Sequence, residues 1–194
     1  MNAKTRAELI QLVRRDALKV GAFKLASGRE SHYYLDCRKI TLSAEGSHTV
    51  ATAICSALRN QQVDAIGGLT MGADPIVGAV LALSAPIRTK PLRGFLVRKE
   101  VKGHGLGRLI EGTLRDGDRV AIIEDVTTTG ESALRAAKVV QEVGGIVDVV
   151  ISIVDRMEGA DETFASHGLA FQPLLTIREL GVEPQVFSAT QVAG

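Results

Sequence analysis

The chain has 194 residues, 45% apolar and 23% charged, with 23 Lys and Arg against 22 Asp and Glu for a net charge of +1. That length suits one compact domain, residues 1–194, with a core large enough to need no staples, and the charge balance removes the usual electrostatic ground for binding nucleic acid. The apolar runs are too short to span a bilayer, and the first twenty residues hold no leader-like apolar core. Cys37 and Cys55 have neither a disulfide-framework nor a metal-ligand spacing, so a reduced, cytoplasmic protein is expected.

Thr5 followed by Glu8 reads as a capping box, and Leu9, Leu12, Val13, Ala17 and Val20 continue at helical spacing, which predicts a helix over about 3–20. Phe23 and Leu25, then Tyr33 and Leu35, alternate on either side of Ser27-Gly28-Arg29-Glu30, the pattern of two short strands around a turn. Residues 43–60 read as a helix with Val50, Ile54 and Leu58 on one face; Cys55, among small and apolar neighbours, reads as a core thiol. Strands are then expected at 63–69, 94–97, 120–123 and 146–154, with helices at 75–83 and 131–143. Continuous apolar strands alternating with helices predict an α/β fold with a parallel sheet covered on both faces. The first 40 or so residues form an N-terminal extension to it.

The most informative stretch is Val120 to Ser132. An apolar strand ends on Glu124 and Asp125, where open α/β sheets bind ligands. Val126, Thr127, Thr128, Thr129, Gly130, Glu131 and Ser132 then lead into a helix. Hydroxyls and backbone N–H groups at a helix N-terminus suit an anion, and the acid pair suits vicinal hydroxyls. Phosphate beside a diol describes a ribose 5-phosphate. The bland alternative is a solvated strand end with Thr129 or Ser132 as a helix cap. A Walker P-loop occurs nowhere in the chain. This segment resembles the type I phosphoribosyltransferases, in which an apolar strand, two acids and a Thr/Gly-rich loop hold the 5-phosphate of phosphoribosyl pyrophosphate (PRPP).

Arg98, Lys99, Lys102, His104 and Arg108 share one stretch with Gly103, Gly105 and Gly107. Positive charge on a flexible segment suits a lid that closes over a polyanion, although a solvated basic loop has the same composition. A dinucleotide fingerprint fails here, because its third glycine position is Arg108. Followed by Ile110-Glu111-Gly112, the stretch resembles the mobile catalytic loop of the orotate phosphoribosyltransferase family. Phe23 to Asp36, with its Ser27-Gly28 pair and Tyr33-Tyr34, is similar to that family's base-covering segment. Gly67 to Pro75 is similar to its pyrophosphate-side loop, and Arg156 to its orotate-binding arginine. Some members carry a lysine where this chain has Ala26 and another where it has Gly72, so the chain matches a shorter subgroup.

The resemblance implies a type I phosphoribosyltransferase fold, a parallel sheet flanked by helices under a small N-terminal hood. It implies transfer of phosphoribose from PRPP to orotate, with Mg²⁺ and a homodimer whose basic loop is shared across subunits. Lys102, His104 and Asp125 would be catalytic. Arg98, Lys99, Lys102, His104 and the run from Glu124 to Ser132 would hold PRPP, Thr128 and Arg156 would hold orotate, and no side chain would ligate the metal directly. Arg156 has a plainer reading, a surface arginine paired to Glu158. Two other functions stay open: a sister enzyme that uses uracil or a purine, and a non-catalytic regulator that senses the sugar pyrophosphate.

Overall fold

The structure, a computed structural model, describes residues 1–24, 28, 30–100 and 109–185. Helix α1 (Ala3–Leu12) is capped by Asn2, whose side-chain oxygen accepts the Thr5 N–H at 2.8 Å. The Thr5–Glu8 capping box therefore does not form, and Thr5 is buried inside the helix. Nor does the helix reach residue 20. A π-turn over Val13–Ala17 leads into β1 (Leu18–Lys24), which pairs antiparallel with β2 (Glu30–Leu35). Ala17 and Val20 fit a helical period, yet Val20 faces Tyr33 across the hairpin and is 72% exposed. Long-range pairing overrides the local pattern there. This hairpin forms a two-stranded sheet of its own.

A short α2 (Arg38–Thr41) precedes α3 (Ala44–Ala57), which Ser43 caps by accepting the Gly46 N–H at 3.1 Å. Cys37 rather than Cys55 is the core thiol: Cys37 is fully buried and Cys55 only partly, and both are free.

The main sheet comprises β3 (Ala65–Leu69), β4 (Arg93–Val97), β5 (Ile110–Gly112), β6 (Arg119–Thr127), β7 (Ile146–Asp155) and β8 (Leu175–Thr176), in the order β5-β4-β3-β6-β7-β8. All neighbours run parallel except β5, an antiparallel edge strand that the sequence pattern does not announce. Helices α4 (Asp74–Ser84), α5 (Glu131–Glu142) and α6 (Ala160–Ser166) complete the layers. Along β6, Ala121 and Ile123 pack with α1, α3 and α4, while Val120 and Ile122 pack with α5 and α6. Burial on both faces explains why the strand reads as an uninterrupted apolar run.

From β3 the chain crosses through α4 to β4 on one side, and β6 lies on the other. The strand order thus reverses between the C-terminal ends of β3 and β6, and that is where an open α/β sheet forms its ligand crevice. The last described residues return to the N-terminal elements. Arg6 Nη1 donates to the Leu174 carbonyl at 3.2 Å, Arg14 Nε to the Leu180 carbonyl at 3.1 Å, and Ser31 Oγ to Gln185 Oε1 at 2.9 Å. Among the described residues, no helix is long and apolar enough to cross a membrane.

Candidate active site

A cleft of about 720 Å³ opens at that reversal point. Glu124, Asp125, Val126 and Ser132 line it from β6 and α5, Arg98 and Lys99 from the end of β4, and Thr70 to Gly72 from the turn after β3. β6 runs four residues further than the apolar pattern predicts, to Thr127, so the acid pair sits on the strand itself. Glu124 is buried, and its Oε2 has no hydrogen-bond partner among the described residues. Burial first, and then the neighbouring Asp125, push the Glu124 carboxyl up to about 8. The pair is packed directly against the β3 turn. A Cβ on Gly72 would stand 2.7 Å from Asp125 Oδ1 and 3.1 Å from Glu124 Oε1, so the acids occupy the space a side chain there would need.

Beyond β6, Thr128 is half-buried, Thr129 exposed, and Gly130 forms the N-cap of α5 at φ 84°. No side chain caps this helix. The capping role that Thr129 or Ser132 might have taken is therefore not in use, and the first N–H groups of a twelve-residue helix point to the cleft side of the sheet with Ser132 on its lining. Gly130 is required twice over: its φ is left-handed, and a Cβ would lie 2.9 Å from the Phe164 ring.

At the other rim, Arg98 Nη1 donates to Glu111 of β5 at 2.9 Å, and Arg135 donates to the Lys99 carbonyl. The start of the basic stretch is thus anchored to both β5 and α5. Lys102 and His104 lie outside the described residues. The acid pair and the first two cations of the basic stretch share one cleft, as the sequence reading requires.

Arg156 is placed differently. It does not line this cleft but sits at the end of β7, where its backbone N–H donates to the Thr127 carbonyl at 2.9 Å. Its side chain, 12% exposed, pairs with Glu158 at 2.8 Å and donates from Nε to the Tyr33 hydroxyl at 2.8 Å. The pairing with Glu158 is real, but the arginine is no surface residue. Asp36, from the base-covering segment, and Met71 and Asp74, from the glycine-rich turn after β3, also line the cleft, as does Arg38, which sequence reasoning passed over. Asp36 accepts from Arg38 Nε at 2.8 Å, which holds its carboxyl below the usual range. The opposite charge two residues earlier is the one local signal that could have marked Arg38.

Comparison with known proteins decides between the phosphoribosyltransferases. The chain is 44% identical to the orotate phosphoribosyltransferase of Rhodopirellula baltica over 184 residues, 92% of this chain and 95% of that protein. Its likeness to the Aquifex aeolicus orotate phosphoribosyltransferase is 43% over 178 residues, covering 90% and 97%. The chain belongs to the orotate phosphoribosyltransferase family. A crystal structure of the Mycobacterium tuberculosis orotate phosphoribosyltransferase superposes with a TM-score of 0.82 at 43% identity, covering 92% of this chain and 99% of that one. Another crystal structure of that enzyme, in complex with PRPP, gives a TM-score of 0.77 at 40% identity, covering 92% and 99%. The fold is accordingly that of the type I phosphoribosyltransferases. No protein-family model matches the chain.

Proposed function

We propose that the chain transfers the 5-phosphoribosyl group of PRPP to N1 of orotate, releasing pyrophosphate and forming orotidine 5′-phosphate in de novo pyrimidine biosynthesis. The observation that carries this reading is the buried acid pair, Glu124 and Asp125, facing Arg98 and Lys99 across the cleft where the strand order reverses. In this reading the acids accept hydrogen bonds from the ribose hydroxyls. The 5-phosphate lies on the loop from Val126 through Thr127, Thr128, Thr129 and Gly130 to Glu131 and Ser132, against the uncapped N-terminus of α5.

As the glycosidic bond breaks, positive charge develops on the ribose ring and negative charge on the departing pyrophosphate. Arg98, Lys99, Lys102 and His104 stabilise the latter, where preorganised donors are most effective. Asp125, on the cleft lining, supports the former, and Thr128 and Arg156 orient the base. Orotate carries a carboxylate that an arginine recognises by paired hydrogen bonds. Positioning and charge stabilisation supply the rate, with no covalent intermediate.

Mg²⁺ suits this donor set. The buried oxygens Asp74 Oδ2 and Glu124 Oε2 have no hydrogen-bond partner among the described residues, and both residues line the cleft. They form no cage, since among the described residues no three His, Cys, Asp or Glu side chains cluster for a metal. A Mg²⁺ that keeps most of its oxygens from substrate and water, with these carboxylates and Asp125 around it, would neutralise pyrophosphate charge. A homodimer with the basic loop shared between subunits fits two exposed apolar side chains, Met71 on the cleft lining, 68% exposed, and Leu42, 75% exposed. The two free thiols suit a cytoplasmic protein.

The test is pyrophosphate release from PRPP and Mg²⁺ with orotate, uracil or hypoxanthine supplied in turn. Release matched to loss of orotate absorbance, and absent with the other bases, is the expected result. Turnover of another base alone would overturn the base assignment, and PRPP binding without any turnover would favour the regulator.

A further inference from the structure

Tyr33 is fully buried although it belongs to the separate two-stranded hairpin. Its side chain spans 123 positions of sequence to reach Arg156. The hydroxyl accepts the Arg156 Nε–H at 2.8 Å, and the Arg156 guanidinium carbon lies 4.7 Å from the centre of the Tyr33 ring. Glu158 Oε1 holds Nη2 of the same guanidinium at 2.8 Å and stands 3.4 Å from the Tyr33 hydroxyl. One edge of the guanidinium is thus shared between a phenol and a carboxylate, while its face lies against the ring. Nη2 is buried and, although ion-paired with Glu158, has no hydrogen-bond partner among the described residues.

We propose that Tyr33 is a positioning and specificity residue for the base: its hydroxyl and ring hold Arg156 so that the unused guanidinium donors face the base's carboxylate, a role that rests on Arg156 being the residue that binds it. An arginine and a carboxylate left to themselves settle into a two-point, side-on pair. By taking Nε–H, the Tyr33 hydroxyl prevents Glu158 from closing that pair, so the protein's own carboxylate orients Arg156 without neutralising it as a ligand site. The phenol is suited to this work, because burial raises it above the ordinary tyrosine range and keeps it protonated. Its ring adds cation–π attraction to a partly desolvated guanidinium. Three contacts on a nearly buried side chain leave little rotamer freedom to lose when substrate binds. The discrimination follows from chemistry alone, since a base lacking a carboxylate gains nothing from a well-placed arginine.

The test compares wild type, Tyr33→Phe, Arg156→Ala and the double variant, measuring KM for orotate and for PRPP and the orotate-to-uracil ratio in kcat/KM. Tyr33→Phe keeps the ring that fills the core and removes only the hydroxyl. It should raise the orotate KM about tenfold, the effect of one hydrogen bond to a charged group, and lower the selectivity ratio in step. The PRPP KM should stay within about twofold, and kcat should change less than the orotate KM. In the Arg156→Ala background the same substitution should add less than about twofold, because there is nothing left to position. An orotate KM unmoved by Tyr33→Phe but raised by Arg156→Ala would overturn the role of Tyr33 and leave that of Arg156 standing. Equal rises in both KM values would also overturn it, as the mark of a merely structural contact. If Arg156→Ala leaves the orotate KM unchanged, both assignments fall together.

Discussion

The two ends of the site are assembled from the chain in different ways. The proposed ribose-phosphate end comes from one continuous stretch, β6, its loop and the start of α5, whereas the proposed base end joins Tyr33 to Arg156 and Glu158 across more than 120 residues. The first is held by the backbone of a doubly buried strand, with Gly72 pressed against the acids. The second depends on a hairpin outside the main sheet, steadied by Ser31 on Gln185 and by contact between His32 and the Glu183 carbonyl at 3.2 Å. In the proposed reading, a rigid anchor for the ribose phosphate is therefore joined to a separately built reader of the base. Substitutions at the two ends should fail differently.

The largest effect is expected at neither end but at Lys102 of the basic stretch. Lys102→Ala should lower kcat by roughly 10²–10³-fold while changing the orotate KM much less, because a donor to the leaving group acts chiefly in the transition state. An unchanged kcat in steady-state assays would remove Lys102 from the chemistry.

Gly130→Ala probes the anchor. A Cβ at φ 84° and 2.9 Å from the Phe164 ring should cost about 1–3 kcal/mol, a drop of roughly 2–12 °C in melting temperature for a chain of this size. Calorimetry should show that loss, with a rise in the PRPP KM exceeding any rise for orotate. A variant as stable as wild type would show that the turn has another conformation open to it.

A further effect at the anchor concerns pH. Glu124 holds its proton up to about pH 8 in the folded chain, against an ordinary value of 4.5. Between those values the native state binds more protons than the unfolded one, so the contribution of Glu124 to stability falls as pH rises through that window. Melting temperatures of the unliganded chain, compared between wild type and Glu124→Gln from pH 5 to 8.5, should show a fall in the wild type that the variant lacks. Parallel curves would mean that Glu124 is already ionised at neutral pH.

What the sequence made legible follows the same division. Apart from β5, the order of strands and helices from 63 to 155 could be read, as could the position of the acid-hydroxyl run between a strand and a helix, because both are local: buried strands declare themselves by unbroken apolar stretches, and a strand-loop-helix segment is contiguous. The continuation of β6 past the acid pair to Val126 and Thr127 was hidden, since charged residues interrupt an apolar pattern although pairing with β7 continues to Thr127. The start of β1 at Leu18 was hidden as well, because its partner lies across a turn and its apolar spacing suits a helix. Strand β5 is three residues long, and α6 and β8 lie in a stretch with little periodicity of its own. Arg156 was recognisable only through the family. Its contacts with Tyr33 exist in three dimensions and leave no trace in spacing.

The most direct test of the division is the pair of KM values, for orotate and for PRPP, measured with Arg156→Ala. A carboxylate-binding arginine at a separately built base end predicts a rise of about 10- to 100-fold for orotate, as expected for lost hydrogen bonds between charged groups, with PRPP changed by less than about threefold. Equal rises for both substrates would contradict that separation and return Arg156 to the ordinary role of a buried ion pair.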